Sequence, residues 1–427
     1  MDKNSQPQMI GLWMTSALVV GTIIGSGIFM LPVALAPLGR NALIGWVISG
    51  VGVLCIAYGL ARLSRLGGDG IQANVTREYG ATVGFCVAWS FWVSFWVAAA
   101  AVALAAASAL SFAVPSLVGA DAIIPVAIGW VLVLTALNMI GVRAAGEFSL
   151  LTVAIKLVPL LAVVWLFAER GAGGPPLEPF APLPVTFANV ASATALTFFA
   201  FTGFETATAP VGKVRDAART IPRALIGGTG FVVVLYLIAA TGIQLLLPAD
   251  MVALSPAPFA DALVARWGEG AAMLAAFAIA VAAIGCLNGI ILATGELGYA
   301  MALRGDLPKA MARTWRGNTP VVAQWVGTAL AIALLLANAS RTTANLYTFI
   351  ILLSTAAIVV VYLTAALAAW RCSPARRQRL LIGLAIAFIV FAIYGIGLEA
   401  TGWSLVLLAV GLGLRAMMHR LNRRAAD

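Results

Sequence analysis

The chain is 427 residues long, 62% hydrophobic and only 10% charged, against the roughly 25% charged of an ordinary soluble domain. Those proportions exclude a soluble enzyme, and because a bilayer-crossing helix needs about 20 apolar residues, the length accommodates on the order of twelve spans. The formal charge of +10 comes from 26 Lys and Arg against 16 Asp and Glu, and the positions of those cations decide whether they mark a nucleic-acid surface or an orientation in a membrane.

Apolar runs bounded by charge or Gly/Pro clusters fall at 10–36, 42–62, 84–112, 122–142, 148–168, 187–210, 224–247, 270–302, 320–338, 342–370, 379–397 and 402–418. They predict an all-α integral membrane protein with 12 transmembrane helices. The first run has no small-residue cleavage site and outlasts the apolar core of a signal peptide, so it reads as a retained span. With both termini counted on one side, the terminus-side loops and ends hold 21 Lys and Arg, whereas the opposite loops hold 4: Arg40, Arg170, Arg266 and Arg341. Positively charged loops stay cytoplasmic, so both termini are predicted in the cytoplasm, and the net charge calls for no nucleic acid.

Span 1 carries Gly25-Ser26-Gly27-Ile28-Phe29 ahead of Pro32, and span 6 carries Phe201-Thr202-Gly203-Phe204-Glu205 ahead of Pro210. Glycine weakens a helix interior and proline removes one of its hydrogen bonds, so both spans are predicted to break. Close packing through small residues would explain one such cluster. Two clusters five spans apart fit an inverted repeat better, since an odd number of crossings inverts the second copy, and paired broken helices mark the site of a secondary transporter. Amides of Ser26, Gly27 and Ile28 would face a carboxylate, and carbonyls from Phe199 to Thr202 would accept an ammonium group. Together they suit an α-amino acid.

Three ionisable groups lie well inside apolar segments: Lys156 in span 5, Glu205 at the second break and Glu296 in span 8. Ionisable groups at such positions are expensive and are functional hypotheses by default. Lys156 has two readings, a proton carrier or fixed charge in place of sodium, and a non-titrating tether between helices. Glu205 likewise takes part in proton movement or simply binds free amides of the break. Cys55, Cys86, Cys286 and Cys372 fall singly in or beside apolar runs, consistent with unpaired, lipid- or core-facing thiols. With His419 the lone histidine, no metal site and no cofactor is expected, and the missing phosphate-binding loop excludes ATP-driven pumping. Trp89, Phe91, Trp92, Phe95 and Trp96 crowd span 3, mostly as packing.

These residues resemble a known family. The Gly25–Phe29 stretch before Pro32, Arg77-Glu78-Tyr79-Gly80, Leu137-Asn138 with Gly141-Val142-Arg143, the Phe201–Glu205 stretch, Ile221-Pro222-Arg223-Ala224, and Tyr299-Ala300-Met301 leading to Gly305-Asp306-Leu307-Pro308 together look like the amino acid, polyamine and organocation (APC) superfamily. The likeness is greatest to bacterial basic amino acid/polyamine antiporters of the arginine/agmatine type. It implies a 5+5 inverted repeat with broken helices 1 and 6 plus two extra C-terminal helices: residues 1–170 as the first repeat, 187–370 as the second, and 379–427 as spans 11 and 12 with a cytoplasmic tail. Ile23, Ser26 and Gly27 match the carboxylate-binding stretch, Thr202 a position in the second break, Ser94 and Phe95 span 3 contacts, and Ser354 a polar position in span 10. Glu205 matches the acidic residue of pH-dependent cycling. Phe199 and Ile290 stand where arginine exchangers carry tryptophans, and Ala99 stands where span 3 supplies an amide. Lys156 resembles the span 5 lysine of proton-coupled or sodium-independent amino acid transporters elsewhere in the superfamily.

The resulting expectation is sodium-independent secondary transport of amino acids in a bacterial-type inner membrane, by proton-coupled uptake or exchange and by alternating access. Arginine/agmatine-type exchange and a non-transporting amino acid receptor are the alternatives, and no enzyme constellation is present. The expected partners are an amino acid or amine, a proton and the lipid bilayer. One chain leaves a homodimer open.

Overall fold

In a bilayer every backbone polar group must be satisfied internally, and the chain meets that demand with helices. The computed structural model describes residues 11–25, 27–65, 70–117, 120–139, 142–172, 177–205, 214–315 and 319–424. In order they form α1 (Leu12–Ile23), α2 (Gly27–Leu35), α3 (Arg40–Ser64), α4 (Ile71–Ala113), α5 (Ala120–Asn138), α6 (Val142–Gly171), α7 (Phe187–Ala200), α8 (Ala217–Leu246), α9 (Ala249–Leu254), α10 (Pro258–Leu303), α11 (Val321–Ala337), α12 (Thr343–Arg371), α13 (Arg376–Ile396) and α14 (Leu398–Arg424). Among the described residues nine helical stretches are long and apolar enough to cross a membrane, with α1 and α2 counted as one, and α7 and α11 are shorter apolar helices.

The bundle centre is built from small residues. On α4 the stretch from Ala99 to Ala109 is buried throughout and packs against α10 and α12, because alanine lets helix axes approach closely where no hydrophobic drive separates protein from lipid. Hydroxyl pairs tie neighbours together: Ser49 to Thr197 at 2.7 Å joins α3 to α7, and Thr135 to Thr328 at 2.6 Å joins α5 to α11. Threonine caps start two helices, Thr186 accepting from the Asn189 amide and Thr342 from that of Asn345, each satisfying an amide that the first turn leaves free.

Two helices begin more than ten residues before the apolar runs predict. α4 starts at Ile71 and α10 at Pro258, and each turns sharply at a glycine, Gly80 (φ 84°, ψ 172°) and Gly268 (φ 78°, ψ 174°). The apolar reading began after each glycine because the lead-in segments carry the charges Arg77, Glu78, Asp261 and Arg266. Arg77, Glu78 and Tyr79 thus lie in helix, outside the apolar run at 84–112. At the rim shared by α4, α10 and α14, Asp306 is almost buried and bonds Arg415 at 2.9 Å, with Arg304 and His419 each 3.6 Å away.

Candidate functional site

Helix α1 stops at Ile23, well short of a full crossing, and α2 resumes at Gly27. A helix ending inside protein leaves its last carbonyls without amide partners. Two of those carbonyls are taken by side chains from other helices: Lys156 Nζ on α6 donates to Gly21 O at 3.1 Å, and the Tyr236 hydroxyl on α8 donates to Ile23 O at 3.1 Å. Lys156 is only 2% exposed. At the second break α7 ends at Ala200, and a tighter turn follows in which the amides of Phe201 and Thr202 donate to Phe198 O and Phe199 O, both at 3.1 Å. The Thr202 hydroxyl donates to Phe199 O as well, at 2.8 Å.

The turn passes through Gly203, whose φ of +115° strongly favours glycine. Its amide donates to Glu205 Oε2 at 3.0 Å, and the Tyr362 hydroxyl from α12 donates to the same oxygen at 2.6 Å. Glu205 and Tyr362 are buried, so this carboxylate has a prepared set of donors. The continuation of span 6 through Pro210 lies outside the described residues.

The two breaks touch backbone to backbone. A Cβ on Gly203 would lie 2.6 Å from Thr22 O, and one on Gly27 would lie 3.2 Å from Ala200 Cα. Beside this seam opens a cavity of about 280 Å³, just under the range of about 300–1,000 Å³ usual for drug-sized ligands, a size suited to one small metabolite. Its remaining walls are single faces of three helices: Ser94, Phe95, Ala98 and Val102 on α4, Cys286, Gly289, Ile290 and Ala293 on α10, and Ser354 and Ile358 on α12. Those spacings of three, four and eight are what one side of a helix presents.

All the described residues of the expected site line this cavity: Ile23, Gly27, Ser94, Phe95, Lys156, Phe199, Thr202, Glu205, Ile290 and Ser354. Ser26 lies outside the described residues. Glu296 is exposed on α10 and is absent from the lining. Ala99 faces a separate void of about 10 Å³, and Ala98 takes the place beside the cavity. Of the crowded aromatics only Phe95 reaches the cavity; Trp89 and Trp92 spend their ring N–H groups on Leu407 O and Thr294 O.

Sequence reasoning missed Thr22, Cys286 and Tyr362. Cys286 was grouped with lipid- or core-facing thiols, yet it sits one helical turn before Ile290 and its Sγ would lie 2.9 Å from a Cβ on Gly25. Tyr362 stands two turns after Ser354 through Ile358. Extending the α10 face by one turn and the α12 face by two would have found both.

An interrupted helix, α1 with α2, and the end of α7 pressed together over a cavity inside an apolar bundle are features of a multi-pass membrane transporter. The comparisons carry this to a family. The amino acid permease family model matches residues 10–412. A cadaverine/lysine antiporter of Escherichia coli strain K12 is 30% identical over 354 residues, 79% of this chain and 77% of that protein. A putative arginine/ornithine antiporter of Bacillus subtilis strain 168 is 27% identical over 401 residues, 85% of this chain and 84% of its own, and the serine/threonine exchanger SteT of the same organism is 28% identical over 319 residues, 72% and 71%. The chain belongs to the amino acid permease family, within the APC superfamily.

Proposed function

We propose that the protein is a sodium-independent secondary exchanger of amino acids or amines, working by alternating access at the seam between the two helix breaks. The observation that carries the reading is the seam itself: amides at the start of α2 and carbonyls at the ends of α1 and α7 border one cavity, offering donors to a carboxylate and acceptors to an ammonium group. Ile23, Gly27 and Thr202, with Ser26 between them in the chain, hold the substrate's main-chain groups, and Ser94, Phe95, Phe199, Ile290 and Ser354 surround the rest. Relatives named as antiporters and as an exchanger support exchange over uptake, and they support a transporter rather than an enzyme or a receptor.

The finer architecture follows the same reading. Spans 1 to 5 run from α1/α2 through α3, α4, α5 and α6, spans 6 to 10 are α7, α8, α10, α11 and α12, and α13 and α14 complete twelve. The near-identical glycine turns at Gly80 and Gly268 fall in spans 3 and 8, five apart like the breaks, and support repeats over 1–170 and 187–370 with 379–427 as the addition. Both termini face the cytoplasm of an inner membrane, by the cation asymmetry. Lys156, bonded to Gly21 O, serves proton coupling together with Glu205. The two cation-antiporter relatives favour a second reading, exchange of a basic amino acid for its decarboxylated amine.

The test is counterflow in proteoliposomes. Uptake of a labelled amino acid into vesicles preloaded with amino acid should exceed uptake into empty vesicles severalfold. Equal rates would replace exchange by uniport, and no uptake of any amino acid or amine would end the transport reading.

A further inference from the structure

We propose that the exchanged substrate is a neutral α-amino acid with an aliphatic side chain, and that lysine, arginine and their amines are excluded. This rests on the exchange reading and names its substrate class. The breaks occupy one side of the cavity and suit the main-chain ammonium and carboxylate groups, so the substrate side chain projects toward α4, α10 and α12. That wall is made of Phe95, Ala98, Val102, Ile290, Ala293 and Ile358. Its two hydroxyls already spend their protons within the protein: Ser94 donates to Phe91 O at 2.8 Å and Ser354 to Ser94 O at 3.0 Å.

A cationic side chain buried there needs a counter-charge. Among the described residues the charged groups lining the cavity are Lys156 and Glu205. Lys156 in its ammonium form repels a second cation. Glu205 stands at the second break, outside the apolar wall, and its Oε2 already receives the Gly203 amide and the Tyr362 hydroxyl. An aliphatic side chain meets matched apolar surface and needs none of these groups.

The experiment uses the full chain in proteoliposomes, each batch preloaded with alanine, leucine, serine, lysine, arginine, cadaverine or agmatine and assayed for uptake of the same labelled compound, followed by competition against the best of them. Alanine or leucine should exchange fastest, and half-inhibitory concentrations of lysine and arginine should lie at least about 100-fold above that of the best neutral compound, as for a pocket that leaves a buried polar group unpaired. Cations exchanging within about tenfold of the neutral compounds would overturn the inference and leave exchange standing. If nothing exchanges, both readings fall together. Ala98→Asp and Ile290→Glu each place a carboxylate on the wall and should admit lysine while losing leucine. A folded variant that still prefers leucine would count against this placement of the side chain. Protection of the unmodified protein from thermal unfolding by leucine but not arginine gives a readout independent of either variant, and the reverse order would overturn the inference.

Discussion

Gly203→Ala tests the idea that the two breaks are held together through bare backbone. At φ +115° a residue with a Cβ is strained, by about 1–3 kcal/mol. The added carbon would also sit 2.6 Å from Thr22 O and 3.1 Å from Thr22 C, main-chain atoms that no rotamer change can move aside. Overpacking of that kind adds about 1–3 kcal/mol, so the substitution should cost roughly 2–6 kcal/mol in all. Gly227→Ala is the matched control: it lies inside α8 with nothing within 4 Å of its Cβ position, and alanine there should stabilise by about 0.5–1 kcal/mol. Thermal unfolding of the full-length protein in detergent, read beside counterflow, compares the two. Gly203→Ala is expected to lower the unfolding midpoint and abolish exchange while the control does neither. A Gly203→Ala protein that melts with the control and exchanges normally would refute the reasoning.

The other expectations concern single contacts. Gly25→Ala pushes a Cβ to 2.9 Å from Cys286 Sγ, a side-chain atom that can be removed, so Cys286→Ala should rescue it with a coupling of about 0.5–3 kcal/mol in a double-mutant cycle; strict additivity would exclude that contact. Lys156→Ala should abolish accumulation driven by a pH gradient, measured in vesicles with and without the gradient, and an unaltered pH dependence would remove Lys156 from proton coupling. Arg415→Ala deletes a 2.9 Å bond to the nearly buried Asp306 and a 3.0 Å bond to Thr82, so it should destabilise by about 1.5–3 kcal/mol. Glu399→Gln, which breaks the exposed pair with Arg341, should change stability by less than about 1 kcal/mol. Equal shifts in midpoint would contradict the difference in burial.

The gap between α1 and α2 and the end of α7 fall at the two glycine clusters that the sequence singles out, because glycine, proline and a buried carboxylate are costly in a span and stand out against leucine and alanine. Positions such as Ser94 and Ile290 came from family resemblance, since nothing in their own neighbourhoods distinguishes them from packing residues. The hydrogen bonds to the breaks were not legible. Tyr236 and Tyr362 reach them from α8 and α12, and a contact across 213 or 157 residues leaves no trace in local periodicity. The lead-in helices before Gly80 and Gly268 escaped for the opposite reason: their charges resembled loop composition, although a short helix at a membrane surface tolerates charge on its wet side.

The end of α1 is tied in three directions, by Lys156 from α6, by Tyr236 from α8 and by the close approach of Gly203 to Thr22. A cycle that swings α1 must sever these ties and strand the Gly21 carbonyl, at about 1–3 kcal/mol, whereas Ile23 O keeps the Gly25 amide. A bound ammonium group can take over as donor during the swing, and an empty cavity cannot. On the exchange reading, one stranded carbonyl would slow the unloaded turnover by roughly fivefold or more, so the same bonds that secure the end of α1 would also resist slippage.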